Sequence, residues 1–331
     1  MRVVVIGGGS IGERHVRCFQ QTRRVDVALC EIDAALRERV AQAYRLRETF
    51  GDVDEAVERG FQAAVICTPA HLHVALARKF VAAGTHVLIE KPLSVSLEGV
   101  AELAAAASEA NLVAAVAYVY RAHPALAAMR EAIQSGRFGR PLHATVVAGQ
   151  NFPHYRPAYR QSYYTDHATG GGAVQDALTH LVDAVQWLVG PIDRLAADAA
   201  HQKLEGVTVE DTVGVIARHG DVPAVYSLNQ FQPPNETTIT VACEHGAARF
   251  EYHRRRWRWM THPESPWQDE PCEPLERDTL FQMQAARFLD AIEHGAPPLC
   301  SLAEGWLALR ANLAILRSVQ SNSWQSTEPL S

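Results

Sequence analysis

The chain has 331 residues, a hydrophobic content of 47%, a charged content of 21% and a formal net charge of -6. The length predicts about two domains with sizeable cores, and the composition a globular protein. The negative balance speaks against a dedicated nucleic-acid or anionic-membrane partner, and no apolar run approaches the roughly 18 residues needed to span a bilayer. The six cysteines (Cys18, Cys30, Cys67, Cys243, Cys272 and Cys300) are scattered without a C-x-x-C pair. They read as reduced thiols, neither a disulfide framework nor a zinc knuckle. A first strand beginning at residue 2 leaves no room for a signal peptide, so a cytoplasmic location is expected.

Arg2–Ile6 is apolar and β-branched, the pattern of a strand buried on both faces. Gly7-Gly8-Gly9-Ser10-Ile11-Gly12 follows at once and fits G-x-G-x-x-G ahead of a helix expected over 11–21. Gly7 permits the tight turn, Gly9 lets backbone approach a pyrophosphate, and Gly12 lets helix and strand pack closely. Amides at the helix start, around Ser10 and Ile11, then face the phosphates with the helix dipole behind them. A second strand, 25–30, ends at Glu31. A carboxylate about 20 residues beyond the glycines accepts the ribose hydroxyls of NAD and repels the extra phosphate of NADP. NAD is therefore expected over NADP. Asp33 reads as the cap of a helix starting at Ala34.

A short strand near 47–50 and a capped helix near 52–57 come next. A buried strand at 63–67 then ends in Thr68-Pro69. A helix over 71–83 closes at Gly84, where a left-handed residue belongs. His86–Ile89 is another buried strand, and it ends in Glu90-Lys91-Pro92. In open α/β sheets that strand end is where ligands bind, and a Pro beside the Lys fixes the backbone and admits a cis peptide bond. The bland reading is a surface Glu–Lys pair at a loop start. A helix over 96–110 and a strand over 112–117 complete a doubly wound parallel sheet.

The second half reads differently. A helix at Pro124–Gln134 precedes a half-buried strand at 142–147 and a polar, aromatic segment over 151–169. Gly170-Gly171-Gly172 leads into an amphipathic helix over 173–189. Strands follow at 211–217, 224–230, 237–242, 247–252 and Arg256–Met260, then helices at 280–293 and 303–318, and a tail from Ser321 expected to fray. This is an α+β domain with a mostly antiparallel sheet. The expected domains are thus 1–121 and 122–331. Asp176 and His180 sit four residues apart, on one helix face, where a carboxylate can orient an imidazole for acid–base work. Asp183 could share that face. A polar helix stripe is the plainer alternative. A metal site would need further ligands, with only Asp166 and His167 nearby, so no metal is expected. The run Arg254-Arg255-Arg256-Trp257-Arg258-Trp259 alternates with period two, as a strand with one covered face does, although nucleic-acid platforms also mix these residues.

These motifs together resemble the glucose–fructose oxidoreductase / inositol dehydrogenase (Gfo/Idh/MocA) family over nearly the whole chain. The matching residues are Gly7, Gly9 and Gly12, Thr68-Pro69 with His73, Glu90-Lys91-Pro92, Arg121 with Pro124, and the glycines leading to Asp176 and His180. The resemblance implies an NAD-dependent oxidoreductase acting on a sugar, cyclitol or related polyol. It implies that Lys91 hydrogen-bonds the reacting hydroxyl, that His180 moves its proton and that Asp176 positions His180 and the substrate. It implies cofactor contacts at Thr68, Pro69, His73, Glu90 and Lys91, and a homodimer or homotetramer through the open face of the second sheet. The segment 154–163 resembles a subgroup loosely, and Tyr118, Arg121, Arg156, Arg160 and Tyr163 are candidate substrate contacts. Two rivals share this scaffold: an NAD-dependent glycoside hydrolase and a non-catalytic NAD-sensing regulator.

Overall fold

The computed structural model describes residues 1–328, and among these described residues the chain forms two compact units. The first comprises Met1–Ala122 and Leu275–Trp306, and the second His123–Pro274 and the chain from Leu307 onward.

The first unit opens with β1 (Arg2–Ile6), α1 (Ser10–Gln21), β2 (Asp26–Cys30) and α2 (Ala34–Tyr44). Asp33 Oδ1 caps α2 by accepting the amides of Ala35 at 2.9 Å and Leu36 at 3.0 Å. Then come β3 (Thr49–Phe50), α3 (Val53–Arg59), β4 (Ala63–Ile66), α4 (His73–Ala82), β5 (His86–Ile89), α5 (Val100–Glu109) and β6 (Ala114–Val116). The strands are parallel, in the order β3-β2-β1-β4-β5-β6. Val3, Val4 and Val5 are fully buried, as strands covered by helices on both faces require. The order reverses at β1, so the carboxyl ends of β1, β2, β4 and β5 lie at a topological switch point. Those ends carry the glycine turn, Glu31, Thr68-Pro69 and Glu90-Lys91.

The second unit begins with α6 (Pro124–Gln134), β7 (Pro141–Gly149) and α7 (Phe152–Tyr155). The expected helix over 173–189 is in two parts, a π-turn at Val174–Leu178 and then α8 (Thr179–Val189). The strands are β8 (Arg194–Ala200), β9 (Thr212–His219), β10 (Val222–Asn229), β11 (Glu236–Cys243), β12 (Gly246–Glu251), β13 (Arg256–Met260) and β14 (Gln268–Pro271). Two of these, β8 and β14, were not expected. Their sequences, RLAADAA and QDEP, lack the β-branched and aromatic signal of a strand. They form because β9 and β13 offer them partners.

The chain then returns to the first unit with α9 (Thr279–His294). The boundary between units falls within α10 (Leu302–Ser321). Ala285, Phe288 and Leu289 of α9 share one core with Val3, Val5, Val16, Phe19, Leu29 and Val65. Beyond β6, the Val116 amide donates to the Cys300 carbonyl at 3.0 Å and Ala115 bridges to Ser301, so the sheet edge is covered. The tail does not fray as expected. β15 (Gln325–Ser326) pairs with β8, and the Thr327 amide donates to the Asp193 carbonyl at 2.9 Å. Residues 329–331 of that tail lie outside the described residues. The second sheet has the order β14-β13-β12-β11-β7-β10-β9-β8-β15, antiparallel except for the parallel pair β7–β10.

Candidate active site

In the first unit the glycine turn is fixed by steric need. A Cβ at Gly12 would lie 1.8 Å from the Gly7 carbonyl oxygen, and one at Gly7 would lie 2.9 Å from that of Cys67, at a φ of +96°. A Cβ at Gly9 would meet nothing within 4 Å, so the space over that residue is open. Gly9 is also the N-cap of α1 and supplies no side-chain acceptor. The first amides of the helix, around Ser10 and Ile11, therefore lack a side-chain cap and suit a phosphate. Glu31 stands beside them: its Oε2 accepts the Gly8 amide at 2.6 Å and its Oε1 the Asp33 amide at 2.9 Å. The Thr68 hydroxyl oxygen is buried and has no hydrogen-bond partner. An uncapped helix start, an acid at the end of β2 and an unsatisfied hydroxyl at the end of β4 together fit the pyrophosphate and ribose of NAD. The isoleucine after Glu31 was missed in the sequence. Ile32 is 87% exposed, which is unusual for a large aliphatic residue at a strand end. Its signal is an apolar residue set between two acids.

At the end of β5, Glu90 is buried and continues the ladder by donating its amide to the Ile66 carbonyl at 2.9 Å. The Lys91–Pro92 peptide bond is cis, which a Pro at that position admits. Lys91 is half-buried, whereas Pro92, Leu93 and Ser94 are buried. Pro69 is exposed. His73 is buried, with Nδ1 at 3.0 Å from the Pro92 carbonyl and Nε2 at 2.7 Å from the Thr68 carbonyl. Burial holds its pKa below the ordinary histidine value. A neutral ring donates to one of those carbonyls at a time. His73 thus contacts backbone on both sides and braces two strand ends. Tyr118 is fully buried. Arg121, expected to meet substrate, is buried. Its buried guanidinium pairs with the Glu304 carboxylate and donates to the Leu299 carbonyl at 3.1 Å.

In the second unit, Asp176 and His180 are both half-buried, while Val174, Gln175, Leu178, Thr179, Leu181 and Val182 are buried. With Ala177, also half-buried, the two lie on the partly accessible side of a mostly buried segment. Asp183 does not join them, because it is fully buried. The π-turn carries Asp176, and such turns recur at functional sites. Tyr163, expected to meet substrate, donates its hydroxyl to Asp176 Oδ1 at 2.6 Å. Arg160 pairs with the Glu205 carboxylate at 3.0 Å and donates to the Glu205 carbonyl at 2.8 Å. Arg156 is exposed.

Glu210 organises this region and was not foreseen. Its Oε1 accepts the Val174 amide at 2.9 Å, and its Oε2 lies 2.5 Å from His167 Nε2. That carboxylate raises the His167 pKa above its ordinary value. It also explains one of the three glycines, and the Tyr164 backbone explains another. A Cβ at Gly172 would lie 2.6 Å from Glu210 Oε1, and one at Gly171 would lie 2.3 Å from the Tyr164 carbonyl oxygen. Phe152, Tyr159 and Tyr164 pack with Leu204, Val207 and Val209 to anchor the segment. Asp211 accepts the amides of Gln202, Lys203 and Leu204 at 2.7–2.9 Å, and these bonds hold its carboxyl below the ordinary range against the opposing effect of burial. Nothing local marks Glu210 in the sequence, since it lies 43 residues from His167. Among the described residues, no group of three His, Cys, Asp or Glu side chains is placed to hold a metal ion. No helix among them is long and apolar enough to cross a membrane. The arginines of β13 face acids: Arg256 pairs with Glu251 at 2.6 Å and also with Asp269, and Arg258 with Asp269 at 2.8 Å. Trp257 between them is buried.

The doubly wound sheet and its glycine turn define an NAD-binding oxidoreductase. Residues 1–118 match the oxidoreductase family with an NAD-binding Rossmann fold, and residues 126–249 match the GFO/IDH/MocA C-terminal domain; the chain belongs to that family. It is 26% identical to a 1,5-anhydro-D-fructose reductase of Ensifer adhaerens, over 82% of this chain and 80% of that protein. It is 24% identical to a levoglucosan dehydrogenase of Pseudarthrobacter phenanthrenivorans, over 100% of this chain and 99% of the other. The structure of a levoglucosan dehydrogenase in complex with NADH and levoglucosan has the same fold. Its TM-score is 0.90, at 22% identity, covering 99% of this chain and 100% of that one.

Proposed function

We propose that this protein moves a hydride between NAD and the hydroxyl-bearing carbon of a sugar, cyclitol or sugar derivative. The observation that carries the reading is the half-buried polar pair Asp176 and His180 on a mostly buried segment, in a chain whose first unit is built for NAD. The phosphates go to the amides around Gly9, Ser10 and Ile11, the adenosine ribose to Glu31, and the adenine to the exposed side chain of Ile32. Thr68 and Pro69 line the cofactor. When bound, NAD supplies the hydride acceptor, or as NADH the donor. Lys91 hydrogen-bonds the reacting oxygen and stabilises the negative charge that develops on it. His180, neutral, takes the hydroxyl proton in the oxidation direction and returns it in reduction, and Asp176 orients it. The alcohol thus loses one hydride and one proton and becomes a carbonyl. Tyr163 holds Asp176, and Arg156 is the candidate for a direct substrate contact. The similarity to reductases and dehydrogenases of anhydro sugars supports this substrate class.

The same reading includes a homodimer or homotetramer. On the second sheet Val147, Ile216 and Val225 are 50%, 55% and 40% exposed, and Val225 pairs with Ile216 in register, which makes an apolar strip on one face. Ile216→Glu should give a smaller species in light scattering; an unchanged mass removes that face from assembly.

The test of the activity is a spectroscopic screen for NADH formation or consumption. Its substrates are levoglucosan, 1,5-anhydro-D-fructose, inositols and sugar acids. Turnover on one of them is expected. Glycoside cleavage with no net NADH would favour a hydrolase. NAD binding without turnover on any polyol would favour a regulator.

A further inference from the structure

His15 lies on α1, three residues past Gly12, and is fully buried. Its Nε2 meets Glu90 Oε1 at 2.7 Å. The other carboxylate oxygen of Glu90 accepts the Lys91 amide at 3.1 Å. His15 Nδ1 is buried and meets no hydrogen-bond partner. A ring with its hydrogen on Nε2 satisfies Glu90 and leaves Nδ1 as a bare acceptor. The Nε2–H tautomer therefore matches this network. The ring is walled by Phe19, centroids 6.2 Å apart, and by Phe281 of α9, edge-on at 5.8 Å. An apolar residue would pack in those surroundings, and well-packed apolar replacements of buried polar pairs are often neutral or stabilising. A polar pair held there points to a task other than stability.

We propose that His15 is a positioning residue for Lys91. It pins the Glu90 carboxylate, the carboxylate pins the Lys91 amide, and the amide sets the direction in which Lys91 leaves the end of β5. His73 secures the far side of the same turn through the Pro92 carbonyl. Being fully buried, His15 touches neither substrate nor cofactor. The inference rests on the reading of Lys91 as the group that meets the reacting oxygen. Misplacement by about 1 Å of a group that must be oriented costs on the order of 100-fold in rate.

The experiment compares His15→Phe, His15→Gln and the double variant His15→Phe/Glu90→Leu with wild type and Lys91→Met. It reads hydrogen exchange at the Lys91 amide, NAD affinity, unfolding stability, and kcat on the sugar or polyol selected by the screen. In His15→Phe the Lys91 amide should exchange at least about tenfold faster, and kcat should fall on the order of 100-fold with NAD affinity retained. Gln can place an amide donor near the position of Nε2 and should restore protection and most of the rate. The double variant should regain stability, having no stranded carboxylate, without regaining turnover. Unchanged exchange at Lys91 in His15→Phe overturns the proposal. So does a double variant that turns over like wild type, and this variant decides the matter if the single one fails to fold. Near-wild-type turnover in Lys91→Met would instead remove the reading beneath it, leaving the exchange result to stand or fall alone.

Discussion

Two glycine-rich turns serve the two units, and they are built on different principles. At Gly12 the atom that forbids a side chain is the carbonyl of Gly7, five residues away in the same motif. At Gly172 it is the carboxylate of Glu210, which belongs to a distant part of the chain. The first turn is a backbone device that carries its own specification. The second is shaped by a side chain arriving from elsewhere. A backbone device tolerates change around it, whereas a turn wrapped on a buried carboxylate fails when the carboxylate is removed.

Lys91→Met should lower kcat about 100- to 1000-fold. The phosphate-binding turn does not depend on that side chain, so calorimetric titration should find NAD affinity close to wild type. Loss of NAD binding together with activity would show that strand end and glycine turn are one device.

His123 tests a local cap in the second unit. Its Nδ1 accepts the Ala125 amide at 3.2 Å, and it packs against Phe250 and Tyr252 at centroid distances of 4.9 and 5.5 Å. Burial pulls its pKa down from 6.5 to about 4. Because the unfolded chain binds the proton more readily, stability is complete above the unfolded value and falls as pH drops through 6.5 toward 4. The loss is roughly 3 kcal/mol. His123→Asn keeps a capping acceptor but does not titrate, so its unfolding free energy should be flatter over that acid window. A variant with the wild-type acid slope would assign the loss to other groups.

Glu210→Ala should cost about 1–3 kcal/mol in urea unfolding, because it strands the Val174 amide and the His167 ring. It should also slow turnover by loosening the π-turn that carries Asp176. The His167 pKa is raised by Glu210, so this contact stabilises fully below the unfolded value and is lost as pH rises through the folded one. In Glu210→Ala that alkaline-side loss should vanish from the profile of melting temperature against pH. A variant as stable and as active as wild type would mean the second turn holds itself.

Glu31→Ser should narrow the preference for NAD over NADP by about tenfold, or about 1.4 kcal/mol. Titration with both cofactors measures it. An unchanged ratio would place the discrimination elsewhere in the first unit.

The same contrast sets what could be read from the residues. The parallel sheet, the caps at Asp33 and Gly84, the glycine turn and Glu90-Lys91-Pro92 announce themselves through short-range patterns. Each depends on backbone geometry or on burial periodicity within a dozen residues. Asp176 and His180 were visible by spacing, but the π-turn beneath Asp176 was not, since a helical stripe looks alike with or without an inserted residue. Glu210 and the burial of Arg121 depend on partners far along the chain, and the Tyr163–Asp176 bond on the path of an irregular loop. The edge strands β14 and β15, and β8 beside β15, were illegible because a neighbour's free edge recruits them, not their own composition.

The contribution of α9 to the core of the first unit bears on how the protein is made. During synthesis the glycine turn leaves the ribosome early, yet Ala285, Phe288 and Leu289 follow more than 260 residues later. Domains generally fold as units in order of emergence. Here the nascent cofactor-binding sheet must wait, with Val16 and Phe19 incompletely covered, while the whole of the second sheet is translated. A fragment ending at residue 122 is therefore an unfinished body and not an isolated dinucleotide-binding domain. A chaperone that shields apolar helix faces would find its client in that interval.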